Sequence, residues 1–260
     1  TEEAMEFAQQ QRVLNCDETG YSQSNKDGKN PEQKKAWLWV LVSPLVSVFI
    51  VTLSRSQAIA KDLIGESFSG FLGSDRYSSY DWVKTQWRQL CWSHLLRDFQ
   101  AMAERTGVSQ DIGKALLDRG YRLFHWWHRV RDGTMSQELF REAVTLLRAG
   151  FHQELLSAAA IEIGVREKTP LAKTVRTCRK LLKVEEALWT FVYHDTVEPT
   201  NNSAERALRS AVIWRSLSFG SQSAAGSKFV ARMLTVNHSL KSQGLSILDS
   251  GPCVPISRSP

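Results

Sequence analysis

Three acidic residues stand where their side chains could hold metal ions. Asp17 and Asp75 each follow a short apolar run, and Glu205 lies in a late segment with helical periodicity. Phosphodiester transfer uses two cations about 3.5–4 Å apart, one beside the attacking oxygen and one beside the leaving oxygen. Cations of the Mg²⁺ type prefer oxygen ligands, so carboxylates on separate elements can hold them. Because most charged residues are simply solvated, the spacing alone does not establish a site.

Strands are predicted just before the first two acids. The run QRVLNC at 11–16 predicts a strand that ends at Asp17, and SGFLGSD at 69–75 predicts another that ends at Asp75. A helix is expected between them, with Ser56 as its cap.

The long apolar segment between these strands allows two interpretations. Residues Ala36 to Leu53 form a run of 18 residues without a charge, which is the lower length limit for a membrane helix. Pro44 interrupts the run at its centre, and β-branched and aromatic residues dominate each half. We therefore favour a two-stranded hairpin that turns at Ser43 and Pro44 over a membrane helix.

The pattern becomes helical in the second half of the chain. Residues 86–93 (QWRQLCWS) predict a last strand, and His94 to Glu104 have helical periodicity. From about 111 to 191 the apolar residues recur at intervals of three and four, which is typical of an all-helical insertion. We predict a catalytic core in residues 1–105 and 199–249, the insertion in 106–198 and a disordered tail in 250–260.

Composition narrows the class of protein without naming a function. The net charge is +6 and the pI about 9.2, which favours polyanionic partners. The four cysteines include no C-x-x-C pair, so neither a disulfide framework nor a zinc ribbon is indicated, and a reducing compartment fits. The first residues show neither a basic nor an apolar region of a signal peptide.

Four short motifs carry a resemblance to a known family. They are DETG at 17–20, SDRYSSY at 74–80, CWSHLLRDF at 91–99 and NNSAERALR at 201–209. Together and in this order they resemble the DDE transposases of the insertion-sequence-66 family. The similarity runs from about residue 12 to about residue 249.

The resemblance implies a fold and a chemistry. The expected fold is α/β and RNase H-like: a mixed five-stranded sheet with flanking helices, interrupted by a large all-α insertion before the helix that carries the catalytic glutamate. Asp17, Asp75 and Glu205 would ligate two Mg²⁺ ions, for which Mn²⁺ can substitute. The implied activity is that of an endonuclease that cleaves DNA and transfers the cut strand in transposition and recombination.

The same resemblance implies partners and a place in the cell. The partners are DNA, as transposon ends and as target, a second copy of the chain, and accessory proteins of the same element. The expected location is the bacterial cytoplasm, at the nucleoid and not in a membrane. The alternative is a truncated transposase remnant that binds DNA or a partner without cutting, although the three intact carboxylates argue against it.

Several neighbouring residues are candidates for supporting roles. His94 could contact the scissile phosphate or orient a carboxylate, whereas a zinc site with Cys91 would need further ligands. Asn201 or Asn202 is expected to cap the helix that carries Glu205, and Asn202 would share its face. The residues expected to contact the DNA backbone are Asn202, Arg206, Arg209, Arg215 and Lys228.

Other conspicuous side chains have ordinary explanations. Glu18 follows Asp17 on a strand, so its side chain should point to the opposite face of the sheet. Trp126, Trp127 and Trp189 in the helical region are expected to pack in a core rather than stack on DNA bases. The basic stripe over residues 173–183 fits either a solvated helix face or a track for the DNA backbone.

Overall fold

The computed structural model describes residues 2–246 and divides the chain into two compact units. The first unit comprises Thr1–Trp87 and Asn201–Pro260, and the second comprises Arg88–Thr200. The predicted tail at 250–260 lies outside the described residues. The division into core and insertion at residues 105, 106, 198 and 199 stays a prediction.

Five strands form one mixed sheet. Their bounds are β1 Val13–Tyr21, β2 Ala36–Val42, β3 Ser47–Thr52, β4 Phe71–Ser74 and β5 Arg88–Leu90. Their order in the sheet is β3-β2-β1-β4-β5. Strand β1 pairs antiparallel with β2 and parallel with β4, and β2 pairs antiparallel with β3. The predicted mixed five-stranded sheet is therefore confirmed.

The apolar segment from Ala36 to Leu53 is a hairpin. Strands β2 and β3 pair in register from Trp37 with Thr52 to Val42 with Ser47. The turn begins at Ser43, whose N–H donates to the carbonyl of Val46 at 2.8 Å. The hairpin prediction is confirmed and the single membrane helix is wrong. Within residues 2–246, no helix has both the length and the apolar character that crossing a membrane requires.

Helices cover both faces of the sheet in the first unit. On one face lie α1 (Glu2–Gln9) and α2 (Gln57–Ile64), whose Ala8 and Leu63 join a buried cluster with Leu14 and Cys16 of β1. On the other face lie α8 (Asn202–Ser218) and α9 (Ala224–Ser242), which bury apolar residues against β1, β2 and β3. Alternate residues of β1 therefore face different helices.

Two details of the first unit differ from prediction. Strand β1 does not end at Asp17, because the four residues after it continue the ladder with β2, from Glu18 opposite Trp39 to Tyr21 opposite Ala36. Helix α1 was not predicted, because eight residues give too short a stretch for apolar periodicity to show.

The second unit consists mainly of helices. They are α3 Trp92–Ala103, α4 Val108–Arg131, α5 Gln137–Ala160, α6 Pro170–Lys183 and α7 Thr190–Tyr193. Trp92, Phe151 and Trp189 pack ring against ring, with centroids 5.3–5.7 Å apart. Trp189 is therefore a core residue, as predicted. The strand predicted at 86–93 is shorter, because helix α3 already begins at Trp92.

Candidate active site

The pairing of β1 with β4 brings the two aspartates together. The parallel register joins Val13 to Phe71, Leu14 to Leu72 and Asn15 to Gly73, so each partner lies 58 positions further along the chain. Asp75 is also 58 positions after Asp17. Asp75 is the first residue after β4, and continuing the register would set it level with Asp17.

The third carboxylate comes from helix α8, which packs against β1 and β2. Asn201, at the start of this helix, is fully buried, and its Nδ2 donates to the carbonyl oxygen of Cys16 at 2.9 Å. The N–H of Glu205 in turn donates to the carbonyl of Asn201 at 3.1 Å. Glu205 thus lies one turn beyond a point where α8 is fastened to the residue before Asp17.

The electrostatic surroundings of Asp17 connect the three acids. Burial raises the pKa of Asp17 to about 7, with further upward contributions from the negative charges of Glu18, Asp75 and Glu205. A hydrogen bond of 2.9 Å from the N–H of Glu18 to Oδ1 of Asp17 acts in the opposite direction. Carboxylates that repel one another in this way offer hard oxygen donors. That donor set fits divalent cations of the Mg²⁺ type.

Asp75 is held by the chain that follows it. Its Oδ1 accepts a hydrogen bond of 2.8 Å from the N–H of Tyr77, and a short 3₁₀ turn begins at Ser78. This turn places Tyr80 in the core, where its hydroxyl contacts Glu18.

The Glu18 side chain points to the face of the sheet opposite to that of Asp17, as alternation along β1 requires. Its side chain is buried on the opposite face of the sheet, where its two oxygens bind Arg55 and Tyr80. Arg55 could not be identified from the sequence, because it lies in none of the four motifs. Its contact with Glu18 exists only in the folded chain.

The two asparagines before Glu205 have different surroundings. Asn201 occupies the cap position of α8, but within the described chain its side chain makes no capping hydrogen bond and holds Cys16 instead. Asn202 is exposed. Asn201 therefore occupies the predicted cap position but does not make the predicted capping hydrogen bond. Its buried side-chain amide donates to the carbonyl of Cys16 on β1 instead of accepting from the first turn of α8.

The candidate DNA-contacting residues fall into two groups. Arg215 is half-buried, and its Nη1 donates to Oγ1 of Thr19 at 3.0 Å and to the carbonyl of Gly20. Arg206, Arg209 and Lys228 are exposed, the first two within the first half of α8 and Lys228 near the start of α9. Arg206, Arg209 and Lys228 thus carry exposed positive charge, whereas Arg215 attaches α8 to β1.

The remaining candidates lie in the second unit. His94 is the third residue of α3 and Cys91 is buried at the cap of that helix. The role of His94 stays a prediction. In the basic stripe of α6, Arg179 binds the carbonyls of Ala159 and Ile161 at 2.9 Å each, so part of that stripe closes the end of α5.

A comparison with protein families supports what the motifs indicate. The model of the Transposase IS66 family matches residues 1–229, a span that includes Asp17, Asp75 and Glu205. No curated protein and no solved structure gives a significant match. Because the family match covers most of the 260 residues, this chain belongs to the IS66 family of transposases.

Proposed function

We propose that this chain is the catalytic domain of a DDE transposase that cuts DNA and joins the cut strand to a target by two-metal-ion chemistry. The observation that carries the proposal is the match to the Transposase IS66 family over a span that includes Asp17, Asp75 and Glu205, together with the upward effect of the Asp75 and Glu205 charges on the pKa of Asp17. Carboxylates that repel one another destabilise a folded chain. A bound cation would offset that repulsion, which gives a reason for the chain to hold them near one another.

The proposed metal ligands are Asp17, Asp75 and Glu205. When bound there, Mg²⁺ or Mn²⁺ ions would supply Lewis-acid stabilisation of charge on the attacking and leaving oxygens. Two features support this assignment: the register of β1 with β4 would set the two aspartates level, and the bond from Asn201 to Cys16 attaches the start of the helix carrying Glu205 to β1.

The reaction has two transfers and no covalent enzyme intermediate. In the first, a water oxygen bonds to phosphorus at the end of the element, the bond from phosphorus to the 3′ oxygen breaks, and a 3′-OH and a 5′-phosphate result. In the second, that 3′ oxygen bonds to a phosphorus of the target, whose own 3′ oxygen leaves and takes a proton. The exposed Arg206, Arg209, Lys228 and Asn202 are proposed to hold the DNA backbone, and His94 to assist at the phosphate.

The proposed fold type is RNase H-like. Support comes from the strand order, from Asp17 on the first strand and from Asp75 directly after the fourth. In this proposal residues 106–198 are an insertion in the core. The proposed setting is the bacterial cytoplasm at the nucleoid, with accessory proteins of the same element as further partners.

We also propose that two copies act together on DNA, since transposition must bring two ends into one assembly. Helices α8 and α9, joined by a hydrogen bond of 2.5 Å between Ser210 and His238, expose a set of large apolar side chains. This outer apolar face consists of Ile213, Trp214, Leu217, Phe219, Phe229, Met233 and Val236. Their side chains are between 40% and 88% exposed, and exposed apolar groups of this kind are typical of surfaces that bind another protein.

The test of the proposed activity is cleavage of labelled DNA that carries the ends of the element encoding the chain, with Mn²⁺ or Mg²⁺ present. The wild-type chain is expected to release a 3′-OH, and Asp75→Asn is expected to reduce the rate by a factor of about 10³ or more, as for loss of a principal catalytic group. Asp62→Asn, which changes an exposed carboxylate on α2, should leave the rate unchanged. A wild-type chain that binds metal and DNA but leaves the strand uncut would favour the remnant interpretation.

A further inference from the structure

Glu18 is a fully buried carboxylate directly beside a proposed metal ligand. Its side chain has no exposure to solvent and lies on the face of the sheet opposite to Asp17. A buried carboxylate is costly unless ionic or hydrogen-bonding partners compensate its charge. The compensation here has a specific form, since each oxygen of Glu18 has its own partner.

The partners of Glu18 are Arg55 and Tyr80. Oε1 accepts from Nε of Arg55 at 2.7 Å and lies 2.5 Å from Nη2, and Oε2 accepts from the hydroxyl of Tyr80. The Tyr80 hydroxyl is also 3.6 Å from Sγ of Cys16, so both neighbours of Asp17 on β1 contact this group.

Arg55 also holds the segment that follows Asp75. Its guanidinium lies 3.6 Å from the centre of the Tyr77 ring and 4.7 Å from that of Trp37. Its carbonyl oxygen accepts hydrogen bonds of 3.0 Å from the hydroxyls of Tyr77 and Ser79. Arg55 thus binds this segment with its main chain and its side chain at once.

These contacts form a closed connection between the two aspartates. From Asp75, Oδ1 accepts from the N–H of Tyr77, and Tyr77 contacts Arg55 through its ring and its hydroxyl. Arg55 binds Glu18, whose N–H donates to Oδ1 of Asp17 at 2.9 Å. The two aspartates are therefore linked by contacts on the face of the sheet that buries Glu18, as well as through the pairing of β1 with β4.

We propose that Arg55 is a positioning residue which, through Glu18 and Tyr77, fixes the separation and orientation of the Asp17 and Asp75 carboxylates. The inference rests on the proposed function, since the separation of the two carboxylates matters for catalysis only if they bind metal ions. Outer partners of metal ligands commonly change metal affinity by 10–100-fold when they are removed. A displacement of about 1 Å in a catalytic constellation can reduce the rate about 10²-fold.

The obvious competing explanation is that Arg55 only stabilises the fold. A matched core variant separates the two: Val48→Ala truncates a fully buried side chain of the same unit and leaves Arg55, Glu18 and Tyr77 unchanged. Arg55→Lys keeps the charge but loses the planar, two-nitrogen contact, and Tyr77→Phe removes one hydrogen bond while keeping the ring. The main variant is Arg55→Gln, which removes the positive charge of Arg55. If it fails to fold, Tyr77→Phe tests the same connection.

The experiment measures Mn²⁺ affinity, DNA cleavage rate and amide hydrogen exchange on the wild-type chain and these variants. We expect Arg55→Gln to weaken Mn²⁺ binding at least 10-fold and to accelerate exchange of the Tyr77 amide in the metal-free protein at least 10-fold, with Arg55→Lys intermediate. Val48→Ala should lose thermal stability and leave both quantities within a factor of two. Tyr77→Phe should move both in the direction of Arg55→Gln, by a smaller factor.

The exchange measurement keeps this inference separate from the proposed activity. A wild-type chain that neither binds Mn²⁺ nor cuts DNA would contradict the proposed function and with it the purpose assigned to Arg55. A wild-type chain that binds and cuts, with Arg55→Gln no different from Val48→Ala in affinity and in exchange at Tyr77, would overturn the role of Arg55 alone.

Discussion

Asp17 is held in surroundings that oppose its own charge. Burial raises its pKa from 3.8 to about 7, and three neighbouring acids contribute in the same direction. In the unfolded chain this group would ionise near its ordinary value, so from about pH 4 upward the folded state holds a proton that the unfolded state has lost. By linkage, the metal-free protein loses stability as pH rises through this range, and the full penalty is present above pH 7.

Replacing Asp17 by Asn removes that penalty. We expect the metal-free variant to be more stable than the wild type at pH 8 by roughly 1–2 kcal/mol, or about 3–6 °C in Tm, and to match it near pH 4. The expected difference in stability is modest because solvent reaches part of the Asp17 side chain and screens its charge. Thermal denaturation of both proteins in chelator across this pH range is the measurement. Equal or lower stability of the variant at pH 8 would show that Asp17 is not strained by its neighbours.

At the scale of elements, the offset of 58 residues between β1 and β4 determines the candidate site. The sequence predicted both strands, because each is a short apolar run bounded by polar residues. It did not predict their pairing, since register depends on contacts between distant segments. The resemblance identified the acids, but no local pattern identified Arg55, whose role follows from contacts made only in the fold.

The attachment of α8 to β1 is tested by a matched pair of asparagines. Asn201→Ala leaves the buried carbonyl of Cys16 without its donor and should destabilise the protein by about 1–3 kcal/mol. Asn202→Ala changes an exposed neighbour on the same helix and should stay within about 0.5 kcal/mol of the wild type. Urea denaturation of both variants gives the comparison. Similar losses at the two positions would mean that the amide of Asn201 does not fasten the helix.

At the scale of the whole molecule, apolar periodicity predicts where helices form but does not show which of their faces stay exposed. In α8 and α9 one face packs on the sheet and the other still carries apolar residues, so these helices lack the polar outer face of a typical surface helix. Leu217, which is 78% exposed, and Phe229, which is 59% exposed, illustrate the difference.

If the outer apolar face joins two copies, a charge placed on it should separate them. Leu217→Glu is expected to weaken self-association at least 10-fold in analytical ultracentrifugation, because the interface would then bury an uncompensated carboxylate. Val165→Glu, a change at a residue of the second unit that is 97% exposed, is the control and should behave as the wild type. A monomeric wild type at high concentration, or equal association of the two variants, would contradict this arrangement.

We propose above that Asp17, Asp75 and Glu205 together form a site for divalent cations. Its most direct test is titration of Mn²⁺ into the purified chain, followed by calorimetry or electron paramagnetic resonance, for the wild type, Asp75→Asn, Glu205→Gln and Asp62→Asn. We expect the wild type and Asp62→Asn to bind Mn²⁺ alike, up to two ions per chain, and the other two variants to lose at least 10-fold in affinity. Binding that is unaffected by Asp75→Asn and Glu205→Gln, or a folded wild type without saturable binding, would contradict it.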